Sequence, residues 1–167
     1  MEDWIKEAAD RLKARREEEK RRLGRTPNAG RTLHSDAPLL WRRLAHKMET
    51  AVNEFNREFV ADPLCPSPLL YTRLDHSLTV STVYCNHGHP TRKLVVTFYG
   101  DRAVLVCGLS SSDGSEAPDA GLPHELQFRV DNDGEVKLYH GDHIISLEHA
   151  TKLILEPLID STELIAY

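Results

Sequence analysis

The sequence predicts an α+β domain. It reads as an antiparallel meander of about six short strands, with an amphipathic helix before it and another after it, plus an extended charged N-terminal helix. Three observations carry this reading. From Trp41 to Phe59 the apolar residues recur at steps of three and four, the spacing of one helix face. From Leu69 to Leu138 the period changes to two, interrupted by short turn-forming clusters. After Ser146 the helical spacing returns.

The N-terminal segment, Glu2 to Leu23, contains mostly Glu, Lys, Arg and Ala, with no Gly or Pro. Trp4, Ile5, Ala8 and Leu12 form one apolar stripe at helical spacing. Beyond Leu12 the stripe stops, and good helix formers with pairs such as Glu17 and Arg21 support the rest. With no sustained apolar seam, a long coiled coil is not expected. Gly24 to Leu33, with Pro27 and Asn28, reads as a linker. Ser35 or Asp36 offers an N-cap and Pro38 suits a first turn, so the second helix is expected from about Ala37 to Val60. The prolines at 63, 66 and 68 then end it.

Six strands are expected next. They lie at Leu69–Leu74, Leu78–Tyr84, Leu94–Phe98, Ala103–Cys107, Leu126–Val130 and Val136–Leu138. Cys85 to Pro90 and Asn132-Asp133-Gly134 are turn-forming, and Gly100-Asp101 reads as a tight hairpin. Gly108 to Pro123, rich in Ser, Gly and acids, reads as an exposed, mobile loop. Ser146 caps the last helix, Glu148 favours its N-terminus, and Leu147, Ala150, Ile154 and Leu158 line one face. Pro157 is expected to kink or end it. The division that follows is a charged arm at 1–24, a linker at 25–34 and a single domain at 35–167. Short consecutive connections favour helices on one face of a meander.

The chain has 167 residues, 40% hydrophobic and 28% charged, in the globular range. No apolar run approaches the roughly 20 residues of a membrane span, and the acidic start, Glu2 and Asp3, is unlike a secretory signal. Three cysteines make no disulfide framework, so a reducing cytoplasm is the expected setting. The net charge of −5 is unevenly placed. Residues 1–31 hold ten Lys/Arg against seven Asp/Glu, whereas residues 101–167 hold four against thirteen. This opposes phosphate-backbone binding by the body, which needs clustered positive charge. It also allows the arm of one copy to attract the body of another.

Candidate chemistry is sparse. Cys85, His87 and His89 carry zinc-type donors, but a structural site needs four, and Cys65, His76, His140 or His143 would have to arrive by folding. No metal or cofactor is therefore assigned. His140, Asp142 and His143 place a carboxylate beside imidazoles around Gly141, a solvated turn in the simpler reading. Ser110 to Ser112 lack the glycine frame of a nucleophile elbow, and no phosphate-binding glycine loop is present. Arg11 to Arg31 carries nine basic residues against three acidic ones, but Glu17 to Glu19 interrupt it and no aromatic group is interleaved for base stacking.

Two function classes remain. In the first, a non-catalytic interaction module of adaptor, chaperone-like or accessory type, Trp4, Ile5, Ala8 and Leu12 dock to a protein partner or a second copy as i, i+4, i+8 anchors. Acidic Glu2, Asp3, Glu7 and Asp10 oppose docking to an anionic membrane. In the second, a small-ligand-binding domain, Trp41, Phe55 and Phe59 line an apolar pocket between helix and sheet. An enzyme built on His140–His143 comes behind both.

Overall fold

The structure is a computed structural model, described for residues 3–23, 29–59, 69–82, 92–111 and 121–163. Its elements in chain order are α1 (Asp3–Leu23), α2 (Ala29–Phe59), β1 (Leu69–Arg73), β2 (Ser77–Thr82), β3 (Arg92–Tyr99), β4 (Val104–Ser111), β5 (Glu125–Val130), β6 (Val136–His140), β7 (His143–Ile145) and α3 (Leu147–Glu163). The seven strands form one antiparallel sheet in sequence order. This is the expected α+β meander with helices before and after it.

The two-residue period decides which side chains go inward. On β3, Leu94, Val96 and Phe98 are buried while Lys93, Val95, Thr97 and Tyr99 alternate toward the other face. Register carries the same faces across the sheet: Val96 sits beside Leu78 and Cys107, and Leu105 beside Phe98 and Leu126. Against this inner face lie Trp41, Leu44, Ala45, Met48 and Val52 of α2, with Ala150, Ile154, Leu155 and Leu158 of α3, forming one core. Trp41 is 1% exposed, and its ring stacks on Phe98 at 5.8 Å. Phe98 in turn meets Phe128 edge-on at 5.8 Å.

Polar ties fix the helix layer on the sheet. The Trp41 indole Nε1 donates to the Asp75 carbonyl in the β1–β2 turn (3.1 Å), and the Tyr71 hydroxyl donates to the Ala45 carbonyl (2.9 Å). The Asn56 side chain satisfies both backbone groups of Leu69: its Nδ2 donates to the carbonyl (2.8 Å) and its Oδ1 accepts from the amide (2.7 Å). A side-chain amide thus stands in for a missing neighbour strand at the start of β1.

Several boundaries differ from expectation. Helix α2 begins at Ala29, so the second part of the expected linker is helical. Buried Ala29 and Ala37, with Leu33 packed against the core, hold this turn in place despite Gly30. Pro38 is therefore internal, and Ser35 is no cap: its hydroxyl donates back to the Thr32 carbonyl (3.2 Å). Pro157 does not end α3, which runs on to Glu163 because buried Leu158 and half-buried Ile159 still pack on the core. Ser146 does cap it, accepting from the His149 amide at 3.0 Å.

The sheet also departs from the reading. A seventh strand follows β6 through the two-residue turn Gly141-Asp142, where Gly141 takes φ 61°. Three residues carry too little alternation to announce a strand. β4 extends past Cys107 through Gly108 to Ser111, so this first part of the expected loop is strand, and residues 112–120 of it lie outside the described residues; Ser110 pairs with Lys93 and its hydroxyl donates to the Lys93 carbonyl (3.4 Å). Leu122 and Pro123 are buried, unlike an exposed loop. The β3–β4 connection is four residues long, and its left-handed position is Ala103 (φ 51°), not Gly100. Ala103 keeps that conformation with its methyl in the core and its carbonyl accepting from the Phe128 amide (2.8 Å).

Candidate functional site

Of the large apolar side chains exposed on the described helices, Trp4, Ile5 and Leu12 lie on α1 and Leu39 on α2. Trp4, Ile5 and Leu12 are 62%, 56% and 54% exposed, and Ala8 between them is half-buried. The helical period places them on adjacent turns of one side. From Lys13 to Glu19 every side chain is exposed. No described helix is long and apolar enough to cross a membrane.

A second surface is the sheet face turned away from α2 and α3. Exposed Leu70 on β1, Tyr99 on β3, Val106 on β4 and Ile144 on β7 belong to it by register. The Arg102 guanidinium lies over the Tyr99 ring at 4.8 Å. Beside it runs a polar ladder. The Gln127 amide donates to Glu125 (2.9 Å), and Arg129 donates to the Gln127 oxygen from Nε (2.9 Å) and Nη2 (2.6 Å). Arg129 also lies over the Tyr139 ring and pairs with Asp142 at 3.7 Å.

The other sequence candidates scatter. Trp41 and Phe55 are fourteen residues apart on α2, about 21 Å along a helix axis. Trp41 is enclosed in the core and Phe55 is half-buried, so the two rings face different parts of the interior; the Phe59 side chain lies outside the described residues. His140 and His143 are exposed Cα partners across the last hairpin, and the exposed Asp142 between them lies 3.7 Å from the Arg129 guanidinium. Cys65, Cys85, His87, His89 and Ser112 lie outside the described residues. Among the described residues no three His, Cys, Asp or Glu side chains gather to hold a metal ion. Cys107 is buried beside Val96, and burial pushes its thiol up to about 12, far from the thiolate a nucleophile requires.

Sequence reasoning passed over Arg92, whose guanidinium Nε and Nη1 are buried without an acceptor among the described residues. The signal was present: Arg92 stands two residues before Leu94 in the inward register of β3. It also passed over the Glu125–Gln127–Arg129 ladder, written at every second residue of β5. Set against known protein families, curated proteins and solved structures, the chain matches none of them.

Proposed function

We propose that this protein is a non-catalytic interaction module, in which α1 docks to a partner protein or to a second copy and the sheet-and-helix body is the scaffold. The observation that supports it is the exposure of Trp4, Ile5 and Leu12 on one side of α1. Large apolar groups grouped on an exposed surface mark an interaction site. Such a stripe reads as helix-in-groove anchors, with Trp4 the residue most able to supply binding energy. The charged stretch that follows holds the stripe away from the body. Between two copies, the basic second half of α1 and the acidic segment beyond residue 100 attract each other, a contribution that salt weakens.

The test is a full-length chain carrying Trp4→Ser, Ile5→Ser and Leu12→Ser. Sedimentation velocity at low and moderate salt reads self-association, and capture by an immobilised full-length chain reads partner binding. The variant is expected to lose association while melting at the same temperature as the parent. Association unchanged in the variant, or unchanged by salt between copies, argues against this reading.

The alternative reading, a small-ligand-binding domain, is favoured by one observation of a different kind, the Arg92 Nε and Nη1, buried without an acceptor among the described residues.

A further inference from the structure

We infer that Arg92 anchors a binding site for a carboxylate attached to an apolar body, at one end of the helix-facing side of the sheet. The inner face of strands β1 to β4 is apolar along most of its length: Val80, Leu94 and Leu109 form one row, and Leu78, Val96 and Cys107 the next. The final row is different. Leu69 is the partner of Thr82, and Arg92 is the partner of Ser111, with Thr82 and Arg92 continuing the β2–β3 register beyond Ser81 and Lys93.

This row is anchored on both flanks. Asn56 of α2 fastens Leu69, as described above. Thr82 is buried, and its hydroxyl oxygen accepts from the Arg92 backbone amide at 2.9 Å. The Arg92 side chain therefore leaves a fixed backbone position on the inner side. Its Nε and Nη1 are shielded from solvent, and no acceptor reaches them among the described residues. Those nitrogens carry three N–H groups, each of which needs an acceptor once water is excluded. The other strand arginines are not in this condition: Arg129 has Gln127 and Asp142, and Arg73 is exposed to solvent.

The surroundings select the anion. One guanidinium offers one positive charge, and the neighbouring Lys93 belongs to the opposite face by alternation. A monoanionic carboxylate is balanced by that charge, while a phosphate dianion is left half-compensated. Partly buried Leu109 in the adjoining row, paired with Leu94, suits an apolar body attached to the carboxylate. The site is independent of the α1 stripe and stands or falls without it.

The experiment uses the full chain with octanoate as probe, octanol as the same tail without charge, and inorganic phosphate as an anion without a tail. Thermal unfolding and the ¹⁵N-resolved Nε–H signal of Arg92 are followed through each titration. Octanoate is expected to raise Tm saturably by several degrees and to shift the Arg92 Nε–H signal. Octanol and phosphate are expected to do neither, and Arg92→Gln to abolish the rise. An Nε–H signal unmoved by millimolar octanoate overturns the inference, as does an equal rise in Arg92→Gln or an equal response to phosphate. Should Arg92→Gln not fold, the parent's Nε–H signal against the three probes decides the matter alone.

Discussion

The chain has two tryptophans, and alanine substitution of each tests the placement of α1 against that of the core. Trp41 is 1% exposed, stacks on Phe98 and donates to the Asp75 carbonyl. Truncating such a residue leaves a cavity and an unpaired carbonyl, and costs about 3–5 kcal/mol. With a urea slope of about 2 kcal/mol per M, the unfolding midpoint falls by about 1.5–2.5 M. Trp4, at 62% exposure, has little burial to lose. Its alanine variant is expected within about 0.5 kcal/mol of the parent, a midpoint change of about 0.25 M. Urea titrations followed by far-UV circular dichroism measure both. Trp41→Phe keeps most of the ring and loses the indole bond, so it falls between them by about 1–2 kcal/mol. A Trp4→Ala midpoint lowered by 1 M or more would refute the reasoning, because it means that the stripe packs on its own body.

Three further outcomes follow from the packing. Asn56→Ala removes two hydrogen bonds to Leu69 and is expected to cost about 1–3 kcal/mol, with faster exchange of the Leu69 amide in hydrogen-exchange measurements. In the β5–β6 hairpin, Asp131 pairs with Lys137 and accepts from the Asp133 and Glu135 amides, and the lysine contact foremost holds its carboxyl below the usual carboxylate range. A lowered folded pKa gives stability that is present above the unfolded pKa and lost as pH falls through the folded one. Lys137 is raised chiefly by the same contact, so its share is lost only in strongly alkaline solution. The stability gap between the parent and Asp131→Asn, read from pH-dependent urea midpoints, is therefore expected to be full at neutral pH and to close in acid. Cys107 should resist iodoacetamide in the native protein near neutral pH and label fully in urea, as peptide mass spectrometry will show.

Helix α2 and the inner faces of β2, β3 and β5 were legible because their apolar residues repeat at 3.6 or 2 along stretches of at least five residues. The start of α2 was not. Gly24, Pro27, Asn28 and Gly30 look like a connection, and only burial of Ala29 and packing of Leu33 and Ala37 on the core make the later part helical. The end of β4 was hidden for the same reason. Gly108 and the serines carry loop propensity, and pairing with β3 overrides it. At the candidate site, the spacing of Trp4, Ile5, Ala8 and Leu12 could be read directly. Their exposure could not, since an identical stripe would serve a helix folded back on its body. That the Arg92 Nε and Nη1 meet no acceptor among the described residues depends on which groups lie across from them, which no local pattern records.

The central claim, that the stripe of α1 is a docking surface and the stretch after it a spacer, is tested most directly by photo-crosslinking. Benzoylphenylalanine is placed at Ile5 in one full-length chain and at Glu18 in another, and each is irradiated in an extract of its source. The account predicts adducts from position 5, whose mass identifies a second copy or a partner, and none from position 18. Equal adducts from both positions, or crosslinks from position 5 only to the chain's own body, would contradict it.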